Sequence, residues 1–219
     1  QETGRVDGVS SLRYIHDFDF IAYFKETYQR PIYFENDANS ACKAEVHLGI
    51  AGDVKNALFM VIGTGVGGTI ISNGQIQPGE HAYGGEFGMM LVDGRRELSE
   101  LGSAVHMARK YSKLKRKEYT GEEVFALAEA GEVDAVTATE ELYHYLALGI
   151  YNMQYTIDPE YIVLGGFITK KADLLDHLYR KLAEIMNYGQ RCPIMPKIRI
   201  AKFGNDANLI GAALTAEGK

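Results

Sequence analysis

Hydrophobic positions in this chain follow two alternating patterns: short continuous runs, and longer stretches with the three-to-four-residue spacing of a helix. In FIAYFKETYQR, Phe20, Ile21, Phe24 and Tyr28 share one helical face, and Asp19 just before them suits an N-cap. Pro31 ends that helix, IYF (32–34) reads as a short buried strand, and residues 38–48 read as a second helix closed by Gly49. ALFMVIG (57–63) and TIISNGQI (69–76) read as two strands joined through the glycines of 63–68, with a tight hairpin turn at Asn73-Gly74. Another glycine-rich stretch, PGEHAYGGEFG, runs into the apolar MMLV. Helical spacing then covers roughly 99–117, 121–130 and 134–157, the last broken at Asp158-Pro159. YIVLGG is a short strand closed by two glycines. Residues 169–187 form an amphipathic helix with Leu174, Leu175, Leu178, Leu182 and Ile185 in its stripe. KIRIAKF reads as a late strand and NDANLIGAALTAE as a final helix. Strands alternating with helices define an α/β architecture.

Composition narrows the class. A chain of 219 residues that is 46% hydrophobic and 24% charged has material for one large or two small domains. It is not a disordered, collagen-like or disulfide-scaffold composition. No apolar run approaches the ~20 residues that span a bilayer, and the opening QETGRVDG lacks the basic flank and apolar centre of a signal peptide. A formal charge of −6 argues against nucleic acid as a partner. Cys42 and Cys192 lie 150 positions apart and match no metal-ligand spacing, so both read as reduced core residues of a cytoplasmic protein.

Four places could carry chemistry. Gly63-Thr64-Gly65-Val66-Gly67-Gly68 formally satisfies the dinucleotide fingerprint GxGxxG, which needs a helix directly afterwards. TIISNG follows instead, so the Rossmann reading fails. What is left is either a plain hairpin or a glycine turn that brings backbone N–H groups close to a phosphate. Glu35-Asn36-Asp37-Ala38-Asn39 lies where a strand gives way to a helix, at the sheet edge where α/β folds bind ligands. There Asp37 could serve as a general base and Asn36 as a ligand for hydroxyls, or both could be ordinary capping residues. Glu86 stands between glycines in GGEFG, with Glu97 eleven residues on. Carboxylates suit sugar hydroxyls, which both donate and accept, and solvent-facing loop residues are the alternative. His81 either meets the same ligand or is a surface histidine. Gly165-Gly166 closes a strand before a long helix, as a turn or as a place for backbone to meet a ligand.

The order of these motifs is more informative than any one of them. Strand–ENDAN–helix, IGTGVGGTII, GGEFG, IVLGG and GNDANLIGAA in succession, from about residue 8 to the C-terminus, resemble the ROK family of sugar kinases and related repressors. The resemblance implies the sugar kinase/actin-like ATPase fold, with two ribonuclease-H-like α/β domains and a cleft holding sugar and ATP. Residues 1–52 would be the remainder of the smaller domain, 53–204 the larger domain, and 205–219 a helix returning to the smaller one. It implies Asp37 as the base acting on the attacking hydroxyl and Asn36, Glu86 and Glu97 at the sugar, where His81 could join them. Thr64, Gly65, Gly67 and Gly68 would face the ATP phosphates, and Gly165 and Gly166 the adenosine. The chemistry would be phosphoryl transfer to a hexose hydroxyl, at C6 of glucose or a β-glucoside, by positioning and charge stabilisation.

The chain departs from the family pattern in two places. Met89 stands where many members have a zinc-binding His, and DGRRELSE lacks their cysteines, so no zinc is expected and the chain resembles the zinc-free branch that includes β-glucoside kinases. The DxGGT phosphate loop that opens the family pattern does not occur in this sequence, so the N-terminal part of the first domain is expected to lie outside it, in a longer protein or lost from a truncated one. The Mg²⁺ site is expected to need that upstream segment, and the chain alone is expected to phosphorylate poorly. The expected partners are a small-molecule sugar and ATP, with neither nucleic acid nor membrane, and the expected assembly is a homodimer. The alternatives are a sugar-sensing repressor whose DNA-binding segment is absent, or a sugar-binding remnant.

Overall fold

The computed structural model describes residues 13–16, 18–189 and 193–218. Helix α1 (Phe20–Tyr28) starts where Asp19 accepts the Ala22 N–H at 2.9 Å and stops at Gln29 in the left-handed region. Residues 31–36 are extended, but among the described residues no strand runs beside them, so the expected IYF strand has no ladder to join. Helix α2 (Asp37–Leu48) follows, with Asn36 as its cap.

The sheet comprises β1 (Ala57–Ile62), β2 (Val66–Ser72), β3 (Gln75–Ile76), β6 (Tyr161–Gly165) and β7 (Ile198–Ile200) in the order β3-β2-β1-β6-β7. The β1–β2 and β2–β3 pairs are antiparallel, and β6 lies parallel to both β1 and β7. The β2–β3 turn is the expected Asn73-Gly74, with φ of 54° and 76°. Gly67 and Gly68 pair with Val61 and Met60, so they belong to β2 and the turn after β1 is shorter than the glycines suggested. A small hairpin, β4 (Leu91–Asp93) and β5 (Arg96–Glu97), leads into α3 (Leu98–Leu101), α4 (Ala104–Lys115), α5 (Gly121–Glu129) and α6 (Val133–Ile157). Helices α7 (Leu174–Gly189) and α8 (Ala207–Ala216) complete the order.

The continuous apolar runs of β1 and β6 reflect burial on both faces. Leu58, Met60, Ile62, Ile162 and Leu164 point into one core with Leu142, Leu146 and Ile150 of α6 and Leu174, Leu178 and Leu182 of α7. Ala57, Phe59 and Val163 point the other way, against Ala41, Cys42 and Ala44 of α2 and Ala207 of α8. Each fully buried Leu or Ile contributes about 1.5–3 kcal/mol.

Small residues bring α8 close onto α2, and a Cβ on Gly211 would overlap the Ser40 carbonyl. The buried Glu45 joins the two helices by accepting the Ile50 N–H at 3.1 Å and the Phe203 N–H at 2.9 Å. Two expected helices are shorter than their patterns. Gly102-Ser103 splits 99–117, because Ser103 caps a new helix by accepting the Val105 and His106 N–H groups. Helix α7 begins only after a 3₁₀ turn, Phe167–Lys170, closed by the Thr169 hydroxyl on the Gly166 carbonyl at 2.7 Å.

Candidate functional site

The ENDAN segment becomes the N-terminus of α2. Asn36 leaves the helix with extended geometry and its Oδ1 accepts the Asn39 N–H at 3.1 Å. Asp37 is exposed, and its Oδ1 accepts the Ala38 N–H at 2.8 Å. The helix dipole favours a carboxylate there. Capping and an exposed acid therefore coexist in one motif, each served by a different residue.

Glu86 is brought to this helix end from a distant loop. GGEFG folds against the backbone of β2: Gly85, at φ 95°, has no room for a Cβ beside the Gly68 carbonyl. Phe87 is buried against Gly68, which leaves Glu86 half-buried at the front. Burial raises the Glu86 carboxyl above its ordinary range, and the Asp37 carboxylate raises it further. Two acids from motifs 49 positions apart thus share one electrostatic environment. Glu97 and His81 are both exposed, Glu97 at the start of α3 and His81 in the loop before Glu86. Among the described residues, no hydrogen bond joins either of them to Asp37 or Glu86.

On the other side of β2, the turn at 63–65 is closed by the Gly63 N–H on the Gly65 carbonyl at 2.9 Å. Two serines hold it. Ser103 Oγ donates to the carbonyls of Gly63 at 3.0 Å and Thr64 at 2.7 Å, and Ser99 Oγ accepts the Val66 N–H at 3.0 Å. The motif reading singled out neither. The signal available for Ser103 was its N-cap position before AVHMARK, whereas Ser99 had no local signal.

Gly63 and Thr64 open onto a cavity of about 780 Å³, walled by Val105, Thr120, Glu122, Phe125, Phe167 and Lys170. Gly165 and Gly166 do not line this cavity; Gly166, at φ 94°, packs on the end of β1, where a Cβ would overlap the Ile62 carbonyl. Gly165 and Gly166 therefore serve to bring the ends of β6 and β1 together and to place Phe167 in the wall. Lys170 lies over the Phe167 ring at 4.6 Å. Lys171 is occupied by Glu129 at 2.6 Å and Asp173 at 3.1 Å. Cys42 is a free, buried thiol, and Cys192 lies outside the described residues. Among the described residues, no three His, Cys, Asp or Glu side chains stand together as a metal site.

A sheet covered on both faces, an acid pair at a helix start and a backbone turn facing a nucleotide-sized cavity make this an α/β protein of the sugar kinase/actin-like ATPase fold. The chain belongs to the ROK family, whose family model matches residues 6–219. It is 33% identical to a beta-glucoside kinase of Listeria innocua, over 96% of this chain and 73% of the relative. Among solved structures it resembles a ROK family protein from Streptococcus pneumoniae in complex with sucrose, at 34% identity and a TM-score of 0.87, covering 100% of this chain and 77% of that one. It also resembles a ROK hexokinase from Thermus thermophilus, at 30% identity and a TM-score of 0.80, covering 93% and 73%.

Proposed function

We propose that this chain is an ATP-dependent sugar kinase, transferring a phosphoryl group to a hexose hydroxyl of glucose or a β-glucoside, at C6, with Asp37 as the general base. The observation that carries the reading is the convergence of Asp37 and Glu86 beside β2, the strand that begins at the glycine turn. Asn36 and Glu86 bind and orient the sugar hydroxyls, with Glu97 and His81 as further contacts from the loops. Asp37, exposed at the start of its helix, takes the proton of the attacking hydroxyl. The Thr64–Gly65 turn and the glycines Gly67 and Gly68 offer backbone to the phosphates, and the cavity behind Thr64 takes the nucleoside past Gly165 and Gly166. Catalysis in such a site is positioning plus charge stabilisation. Mg²⁺ would come with the nucleotide and spread phosphate charge. Among the described residues no group of three His, Cys, Asp or Glu side chains would hold it.

Residues 1–52 with 205–219 form the smaller domain in this reading, and 53–204 the larger domain, with the sugar and ATP held in the cleft between them. The packing of α8 on α2 supports the return of the last segment to the first. The working form is a cytoplasmic homodimer acting on small molecules, without nucleic acid or membrane partners. A base beside a phosphate-facing strand favours the kinase over a sugar-sensing repressor, which needs only the sugar contacts. The test is Asp37→Asn, followed by ADP release and by calorimetric sugar binding. Sugar binding within about 3-fold of the parent, with turnover reduced by the 10²–10⁴-fold typical of a lost base, supports the reading. Near-normal turnover overturns it.

A further inference from the structure

A chain of side-chain hydrogen bonds links the segment that carries the candidate base to β2 and to α8. Thr69, fully buried on β2 directly after Gly68, donates its hydroxyl to Asn39 Oδ1 at 2.8 Å. The Asn39 amide nitrogen donates to Glu35 Oε1 at 3.3 Å, and the same oxygen accepts the Asn36 N–H at 3.1 Å. Glu35 Oε2 pairs with Lys43 at 2.9 Å, and Lys43 also donates to Thr215 Oγ1 of α8 at 3.0 Å. Only 10% of the Glu35 side chain and 18% of the Lys43 side chain are exposed.

The segment that carries Asn36 and Asp37 is therefore held at both ends, through Asn39 to β2 and through Lys43 to α8. Asn39 is the junction, because its side chain accepts from the strand and donates to Glu35 at once. A neutral amide does both; an aspartate could accept from Thr69 but would have no proton for Glu35. The contact also lies at a sensitive place. Gly67, two residues before Thr69, lies beside Ala38, the residue after Asp37: a Cβ built on it would meet the Ala38 Cβ at 3.7 Å, an ordinary contact.

We infer that Asn39, held by Thr69, is a positioning residue that fixes the Asp37 carboxylate against the phosphate-facing strand. The inference rests on the kinase reading of Asp37. Phosphoryl transfer depends on placement, and a shift of about 1 Å in such a site costs on the order of 10²-fold in rate.

Thr69→Val keeps the shape of the side chain and removes the donor, and Thr69→Ser restores the donor. The expected result for Thr69→Val is a kcat lower by about 10- to 100-fold, with calorimetric sugar affinity within about 3-fold and Thr69→Ser within about 3-fold of the parent throughout. A Thr69→Val kcat within about 3-fold of the parent, or an equal loss in Thr69→Ser, overturns the inference. Amide hydrogen exchange gives a readout that does not need turnover. Thr69→Val should speed exchange at Asn39 and Ser40 by about 10-fold or more while leaving the amides of α6 unchanged. Unchanged exchange at Asn39 and Ser40 also overturns it. If the parent binds sugar but transfers no phosphate, the exchange result alone decides whether the clamp holds α2.

Discussion

Ser103→Ala removes one hydroxyl that does two jobs. The Ser103 side chain caps α4 by accepting the Val105 N–H at 3.2 Å, and it holds the turn at 63–65 by donating to the carbonyls of Gly63 and Thr64. Losing a serine N-cap costs about 1 kcal/mol in most hosts. Residues Gly63 and Thr64 are exposed, so their carbonyls regain water, and the turn contributes toward the low end of the 1–3 kcal/mol for an orphaned acceptor. The combined loss is about 2 kcal/mol, or roughly 4–8 °C in melting temperature for a chain of this size. Because the released turn faces the proposed nucleotide cavity, KM for ATP should rise by about 10-fold while sugar affinity stays near that of the parent. Chemical denaturation gives the first number, and steady-state kinetics with calorimetry give the second. A stability change below about 0.5 kcal/mol with an unchanged KM for ATP would refute the account of the turn.

Three further outcomes follow from the same structure. Gly211→Ala drives a methyl into the Ser40 carbonyl and should cost about 1–3 kcal/mol by denaturant unfolding; a neutral result would mean that α8 does not sit on α2 as described. Glu86 has a folded pKa above its ordinary 4.5, so above that pH the folded protein binds more protons than the unfolded chain, and stability falls as pH rises through the raised pKa. Glu86→Gln should therefore melt higher than the parent at pH 7, and the difference should vanish below about pH 4; a variant that melts lower at pH 7 contradicts this. Cys42 is fully buried and its thiol is pushed up to about 12, first by burial and then by the nearby Glu45 carboxylate. In a Cys192→Ser background, a thiol reagent at pH 8 should leave Cys42 untouched until the protein unfolds, and rapid labelling of the native form would contradict its burial.

Much of the fold was legible because burial left a strong local signal. ALFMVI and YIVLG are apolar without interruption because helices cover both faces of β1 and β6. Asp19 and Asn36 announced the starts of α1 and α2 through ordinary capping chemistry. Other features depend on partners that sequence periodicity does not encode. IYF has the composition of a strand but no described neighbour to pair with. Gly67 and Gly68 read as a turn because glycine weakens strands, yet their pairing with Val61 and Met60 draws them into β2. The helix expected over 99–117 ran through Gly102, since apolar spacing alone does not reveal that Ser103 restarts it.

The candidate site was legible as separate pieces. Each of ENDAN, GTGVGG and GGEFG displays its exposed polar or glycine positions locally. What the sequence could not display is that GGEFG packs on Gly68 and thereby sets Glu86 near Asp37. Ser99 and the Thr69–Asn39 contact were equally hidden, because each is a bond between residues far apart in the chain.

The most direct test is phosphorus-31 NMR of the full-length protein with ATP, Mg²⁺ and either glucose or cellobiose. The account predicts a new phosphate monoester resonance on the sugar, appearing with ADP and absent in Asp37→Asn. ADP formation without a sugar ester, or an undiminished ester signal from Asp37→Asn, would contradict it.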